Sequence, residues 1–491
     1  MFNLYKQLSL PIATAGICAA GLVNAVAQKP NFVIIFTDDQ GYQDLGCYDS
    51  PNIKTPRIDQ MAREGIRFTD FYAQTVCGPS RAALMTGCYP LRIGRNDDGK
   101  KPHPQVSLSE VTIAEVLKPV GYKTCMIGKW DMAGHNQDAF NYELLPSKQG
   151  FDHTFVTPGS NDSRVHLLRN GKMIEKNADM SQLTKRYTDE AIKFIDQNAE
   201  NPFFIYLAHT MPHTKLAVSA DFKGKSEGGI YGDVVEELDY NVGRLLDHIK
   251  AKGIDDNTYV IFTSDNGPWH KKKEHGGKAL PLRGAKTSTW EGGLRVPCVM
   301  RAPGKIPAGI ESNLVTATID LLPTLANLAG GTVPTDRVID GVDITNVIHG
   351  KQKQLDRSFF YFQHDGLQAV RKGKWKLHMP TEGSMVESWL PHLKPEDRKL
   401  FRKAALFDLS DDIGERNDVA SKNPEVVAEM MKLINWAKQD IGHLSVRGEN
   451  ARALGGASHT ARRKRSGAEA GGRGRAADKK KGNKSKKKKK K

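Results

Sequence analysis

The sequence predicts an α/β protein: a doubly wound, mostly parallel sheet flanked by helices, then a smaller C-terminal subdomain of antiparallel sheet plus helix. Three observations predict it. Short runs rich in β-branched and aromatic residues alternate with helical stretches as far as about residue 345, the pattern of strands joined by crossover helices. The carboxyl ends of those runs are polar, where sheets of this kind bind ligands. Beyond residue 345 the strand-like runs follow one another with no helix between them.

The first strand is Asn31–Thr37, a continuous apolar run of the kind buried on both faces of a parallel sheet. Asp59–Glu64 reads as helix and Ile66–Phe68 as a short strand. Tyr122–Ile127, Phe203–Leu207 and Tyr259–Thr263 read as further strands. Val111–Leu117, Thr184–Gln197 and Asp233–Lys250 read as the helices among them. Ser358–Gln363, Gln368–Arg371 and Lys374–His378 are expected to form the small antiparallel sheet, and Pro424–Ile441 an amphipathic helix.

The termini differ from this body. Met1–Ala27 has one cation, Lys6, then an apolar stretch ending Ala25-Val26-Ala27. That is the pattern of a signal peptide cleaved near Ala27, and it predicts export to a periplasm or the exterior; an uncleaved anchor is the competing reading. Export leaves Cys47, Cys77, Cys88, Cys125 and Cys298, an odd number that points to a free or chemically special thiol. From Arg447 to Lys491 the chain has 18 Lys and Arg but three acids, so +15 of the net +16 lies there and the preceding 446 residues carry +1. A specific nucleic-acid binder is therefore not predicted. Residues 444–491 are expected to form a disordered basic tail, either an electrostatic tether to polyanions or anionic surfaces or a solubility device. The expected division is 1–27, 28–345, 346–443 and 444–491.

The strand ends carry the chemistry. Asp38-Asp39 follows one buried strand and Asp265-Asn266 another, and these hard oxygen donors suit Ca²⁺ or Mg²⁺ better than zinc. Lys129 and His209 with His213 end two more runs. In Cys77-Gly78-Pro79-Ser80-Arg81 the proline suits a first helical turn. Cys77 would then lie at a helix N-terminus, where free N–H groups and Arg81 favour an anion.

Cys77-Gly-Pro-Ser-Arg with Leu84, Thr86 and Gly87 resembles the C-x-P-S-R-x-x-L-x-T-G signature of the type I sulfatases, whose cysteine is converted to formylglycine. Residues 31–45, Thr55–Tyr72, Gly128–Trp130, Pro202–His213, Thr263–Gly267, Lys286–Gly293 and Leu406–Glu415 resemble further family blocks in family order. The resemblance spans roughly residues 30–443 and implies an alkaline-phosphatase-like fold, with 28–345 as the sulfatase domain. It implies one calcium ion held by Asp38, Asp39, Asp265 and Asn266 with the modified Cys77. It further implies that Arg81 steadies the hydrated aldehyde and Lys129 contacts both it and the sulfate. His213 and Lys286 would bind sulfate and assist the leaving oxygen. One position departs: where the family follows Gly-Lys-Trp with histidine, this chain has Asp131, with His135 four residues on. Either Asp131 or His135 is expected to be the base.

What the resemblance implies is a sulfuric ester hydrolase matured by a formylglycine-generating enzyme. The loop His270–Arg283 has five Lys and Arg and two His against one Glu. It is expected to border the pocket, where it suits a sulfated carbohydrate, or else to be a solvated loop. The alternatives are a phosphomonoester or phosphodiester hydrolase of the same superfamily and an inactive polyanion-binding homologue.

Overall fold

A computed structural model describes residues 28–93, 106–380, 403–444 and 446–452. The expected signal segment and the chain beyond 452 lie outside the described residues. A ten-stranded sheet organises the larger domain. Its order is Ile310–Ser312, Ile66–Phe68, Cys298–Arg301, Thr258–Ser264, Asn31–Thr37, Phe203–Ala208, Lys123–Lys129, His153–Thr157, Leu167–Arg169, Lys172–Glu175. The five strands from Thr258–Ser264 to His153–Thr157 are parallel neighbours, with Ile34 in register with both Tyr206 and Ile261.

The continuous apolar runs are explained by what covers the sheet. Side chains alternate between faces along a strand. Phe32, Ile34 and Phe36 enter one core, with Leu84, Met85, Ile113 and Leu325. Val33 and Ile35 enter the other, with Ile58, Met61, Leu183, Tyr187 and Leu245. Both faces of this strand are therefore dry, and each such side chain stabilises the fold by about 1.5–3 kcal/mol relative to exposure. Helices Cys77–Thr86, Ile113–Leu117 and Leu321–Ala329 supply the first layer, and Pro56–Glu64, Leu183–Asn198 and Gly229–Ala251 the second. Thr112 and Glu115 close a reciprocal cap at the start of Ile113–Leu117.

The second sheet is antiparallel, in the order Ser358–Gln363, Gly366–Lys372, Trp375–His378, Ala405–Asp408, and packs against the helix Pro424–Asp440. Its fourth strand was not read in the sequence. Within the segment expected as tail, residues 446–452 contact the body. Val446–Arg447 pairs with Gly442–His443. Arg452 N–H donates to the Arg92 carbonyl, and its guanidinium grips the buried Glu110 at 2.7 and 3.0 Å. An ion pair with a buried carboxylate and a main-chain bond hold these residues despite their polar composition. Cys47, Cys77, Cys88, Cys125 and Cys298 are all free thiols. No helix among the described residues is long and apolar enough to cross a membrane.

Candidate active site

The carboxyl ends of the central strands converge on one buried cluster. Asp38 and Asp39 leave strand Asn31–Thr37, and Asp39 turns the chain in the left-handed region (φ 62°), which aspartate tolerates better than most residues. Its N–H donates to Asp265 Oδ1 at 3.0 Å, and Asp265 N–H donates to the Thr37 carbonyl at 3.1 Å. Asn266 Nδ2 donates to Asp39 Oδ1 at 2.7 Å. A Cβ on Gly267 would stand 1.8 Å from the Gly292 carbonyl oxygen. Glycine is thus required after Asp265-Asn266 for the segment bearing Lys286 to pack against it.

Cys77 opens the helix Cys77–Thr86, with its Sγ 3.1 Å from Asp38 Oδ1 and 3.2 Å from Lys286 Nζ. Arg81, one turn on and fully buried, places Nη2 2.8 Å from Asp265 Oδ2 and 3.3 Å from Asp38 Oδ2, and donates through Nη1 to the Lys129 carbonyl. Lys129 Nζ lies 2.6 Å from Asp38 Oδ2, and Lys286 Nζ lies 2.6 and 2.8 Å from the Asp39 oxygens. Three carboxylates thus face three cations away from water. Burial works against the charge of Asp38, but Lys129, His213 and Arg81 hold its carboxyl well below the ordinary range. Burial and the neighbouring Asp38 push Asp265 up to about 7, against the pull of Arg81. Burial, with Asp265 and Asp38, pushes the Cys77 thiol well up.

These residues fit a hard divalent cation. Ligand atoms of Asp38, Asp39, Cys77 and His213 all lie within 4.8 Å of one another. Asn266 Oδ1 is buried with no hydrogen-bond partner, and a bare amide oxygen among carboxylates is a calcium-type donor set.

His213 Nε2 lies 3.6 Å from Asp39 Oδ2, and its ring packs 5.3 Å from that of Trp269. Burial pushes its imidazole below the usual value, partly offset by Asp39 and Asp38. His209 does not join the cluster: its ring lies against Tyr187. Asp131, also at positive φ (53°), directs its buried Oδ2 to within 3.9 Å of Lys129 Nζ. Its Oδ1 meets His135 Nδ1 at 2.9 Å. Asp131 and His135, the two candidates for the base, are therefore hydrogen-bonded to each other.

Ser160, Asn161 and Asp162 were missed in the sequence. They lie just beyond strand His153–Thr157, whose polar first residues hid it from a search for apolar runs. Lys129 Nζ approaches Ser160 Oγ at 3.5 Å, Asn161 Nδ2 donates to the His213 carbonyl, and Asp162 faces both His213 and His135. Trp269 was also missed. Lys286 Nζ and Lys272 Nζ lie 4.7 and 4.4 Å from its ring centroid, so the exposed basic turn His270–His275 does border the cluster.

Comparison with known proteins agrees with this geometry. Residues 30–331 match the family model described as Sulfatase, and residues 354–452 match the C-terminal region of aryl-sulfatase. The chain is 36% identical to arylsulfatase A of Homo sapiens over 465 residues, covering 84% of this chain and 88% of that one. It is 34% identical to N-acetylgalactosamine-6-sulfatase of Canis lupus familiaris over 478 residues, covering 88% and 89%. Among solved structures it resembles Ps i-CgsB in complex with k-i-k-neocarrahexaose, with a TM-score of 0.71, 27% identity, and coverage of 90% and 98%. With both family models matched in order along one chain, this protein belongs to the sulfatase family of sulfuric ester hydrolases.

Proposed function

We propose that the protein hydrolyses sulfate esters of a sulfated carbohydrate, with residue 77 carried as formylglycine and calcium held by Asp38, Asp39, Asp265 and Asn266. The observation that carries this reading is the buried cluster around Cys77, where metal-type donors and three cations meet one helix N-terminus. Converted residue 77 would supply a hydrated aldehyde as nucleophile, and bound calcium would supply positive charge to the sulfate. The chain's own groups do the rest. A sulfate ester is an anion that repels nucleophiles, and Lys129 and Lys286 offset its charge from fixed positions in a dry site. Arg81 orients the first turn that bears residue 77. His213 gives its proton to the leaving oxygen; the bound anion favours the imidazolium needed for this. Asp131 would be the group that accepts a proton when sulfate departs. An unmodified Cys77 is a poor nucleophile here, because burial keeps it a thiol rather than a thiolate.

The carbohydrate assignment rests on the exposed lysines of His270–His275 beside Trp269, on a relative named N-acetylgalactosamine-6-sulfatase and on a similar structure solved in complex with k-i-k-neocarrahexaose. The reading includes export directed by residues 1–27, maturation by a formylglycine-generating enzyme, and tethering of the basic tail to polyanions. The test is expression with such an enzyme, the mass of the peptide containing residue 77, and sulfate release from an aryl sulfate and from sulfated oligosaccharides. An aldehyde at residue 77 and no release by Cys77→Ala are expected. Turnover by Cys77→Ala at the wild-type rate would overturn the reading.

A further inference from the structure

Asp162 stands where the two proton-handling sides of the site meet. Its Oδ2 lies 3.1 Å from His135 Nε2, and its Oδ1 lies 3.7 Å from His213 Nε2. His135 Nδ1 in turn lies 2.9 Å from Asp131 Oδ1. A carboxylate only accepts hydrogen bonds, so a histidine with one on each ring nitrogen must carry both protons. The backbone is arranged for this meeting: Ser160 N–H donates to the His135 carbonyl, and Asp131 N–H donates to the Pro158 carbonyl. The loop that bears Asp162 is thereby fastened to the segment that bears both Asp131 and His135.

We propose that Asp162 is a positioning residue of the sulfatase reaction, holding His135 as an imidazolium against Asp131 with one oxygen and steadying His213 with the other. This rests on the function proposed above, and it divides the roles of the two candidate bases. His135 is a fixed cation, and Asp131 is the proton acceptor. Asp131, Asp162 and Lys129 face His135. The hydrogen bonds that His135 donates to Asp131 and Asp162 push its imidazole up to about 10. The same contacts, with His135 first, hold the Asp162 carboxyl well below its usual range. Asp162 is half exposed, so its substitution leaves the core untouched.

The test is Asp162→Asn in the matured enzyme, with Asp162→Glu as the conservative control. The imidazole ¹⁵N signal of His135 is followed against pH, and kcat and KM are measured on a small aryl sulfate. Loss of a carboxylate at hydrogen-bond distance should lower the His135 pKa by about one unit or more. It should also lower kcat about tenfold, a part of what proton-transfer groups contribute. KM should change less than kcat, because Asp162 touches neither Lys129 nor Lys286 and reaches the sulfate site only through His213 at 3.7 Å, and Asp162→Glu should restore part of kcat. An unshifted His135 titration, or a kcat equal to wild type, would overturn the proposal. The titration does not depend on turnover. An inactive wild-type protein would therefore remove the functional reading and leave the placement of Asp162 to be decided by the His135 titration.

Discussion

Lys376→Met tests how the C-terminal sheet is fastened to the catalytic domain. The Lys376 ammonium is fully buried and lies 2.9 Å from Glu291 Oε1 and 2.7 Å from Glu415 Oε1, and it donates to the Thr289 carbonyl at 2.8 Å. Around it Glu291 meets Tyr361, Tyr72 and Arg295, while Asp70 is paired with Arg295 and Arg371. Three acids thus balance three bases. Methionine keeps the volume but removes one positive charge, leaving Glu291 and Glu415 to face each other without water. Breaking a buried ion pair from one side costs about 3–5 kcal/mol, a large fraction of a typical stability of about 5–15 kcal/mol. Thr289 and Glu291 belong to the segment that presents Lys286, so KM for the sulfate ester should rise as well. The assay is urea unfolding followed by tryptophan fluorescence. Adding Glu415→Gln to Lys376→Met should recover about 1 kcal/mol, since contacting residues couple by about 0.5–3 kcal/mol. A loss below about 1 kcal/mol for Lys376→Met, within the range of ordinary point substitutions, would refute the reasoning.

Asn266→Leu removes the unpartnered amide oxygen; calcium should raise the melting temperature of wild type and have little effect on the variant, read by thermal shift with and without chelator. Glu190 gives a pH dependence: burial opposes its charge, but His153 and Arg169 lower its pKa from 4.5 to about 2. Its folded value lies below its unfolded one, so its contribution is present above pH 4.5 and is lost as pH falls through about 2. Glu190→Gln should therefore flatten that acid limb in stability measured against pH. Truncation after residue 452 should preserve turnover of a small ester while weakening low-salt retention on a sulfated polymer. Truncation after residue 444 should also lower stability, because it removes the Arg452–Glu110 pair.

The parts of the fold visible in the sequence are those whose environment is uniform along the segment. Asn31–Thr37 and Phe203–Ala208 are buried at every position, so their apolar runs are unbroken. Ile310–Ser312 and Lys172–Glu175 are short edge strands, partly exposed, and carry no such signal. His153–Thr157 lies inside the sheet, yet begins with polar residues that are bonded to Glu190 and Asn170.

The site divides in the same way. Residue types and spacing alone determined that Cys77 and Arg81 share one helix face and that Asp38-Asp39 and Asp265-Asn266 end strands, because those are consequences of local geometry and chain order. Only the tertiary structure decided that Asp131 and His135 are hydrogen-bonded to each other, that Asp162 joins His135 to His213, and that Lys376 locks the segment bearing Lys286. All but the first of these contacts join segments far apart in the chain, and the strength of each depends on how completely water is excluded. An aspartate in a loop looks the same in a sequence whether it faces solvent or two histidines. Its chemistry is set by the distance of a few ångströms to partners that only folding brings near.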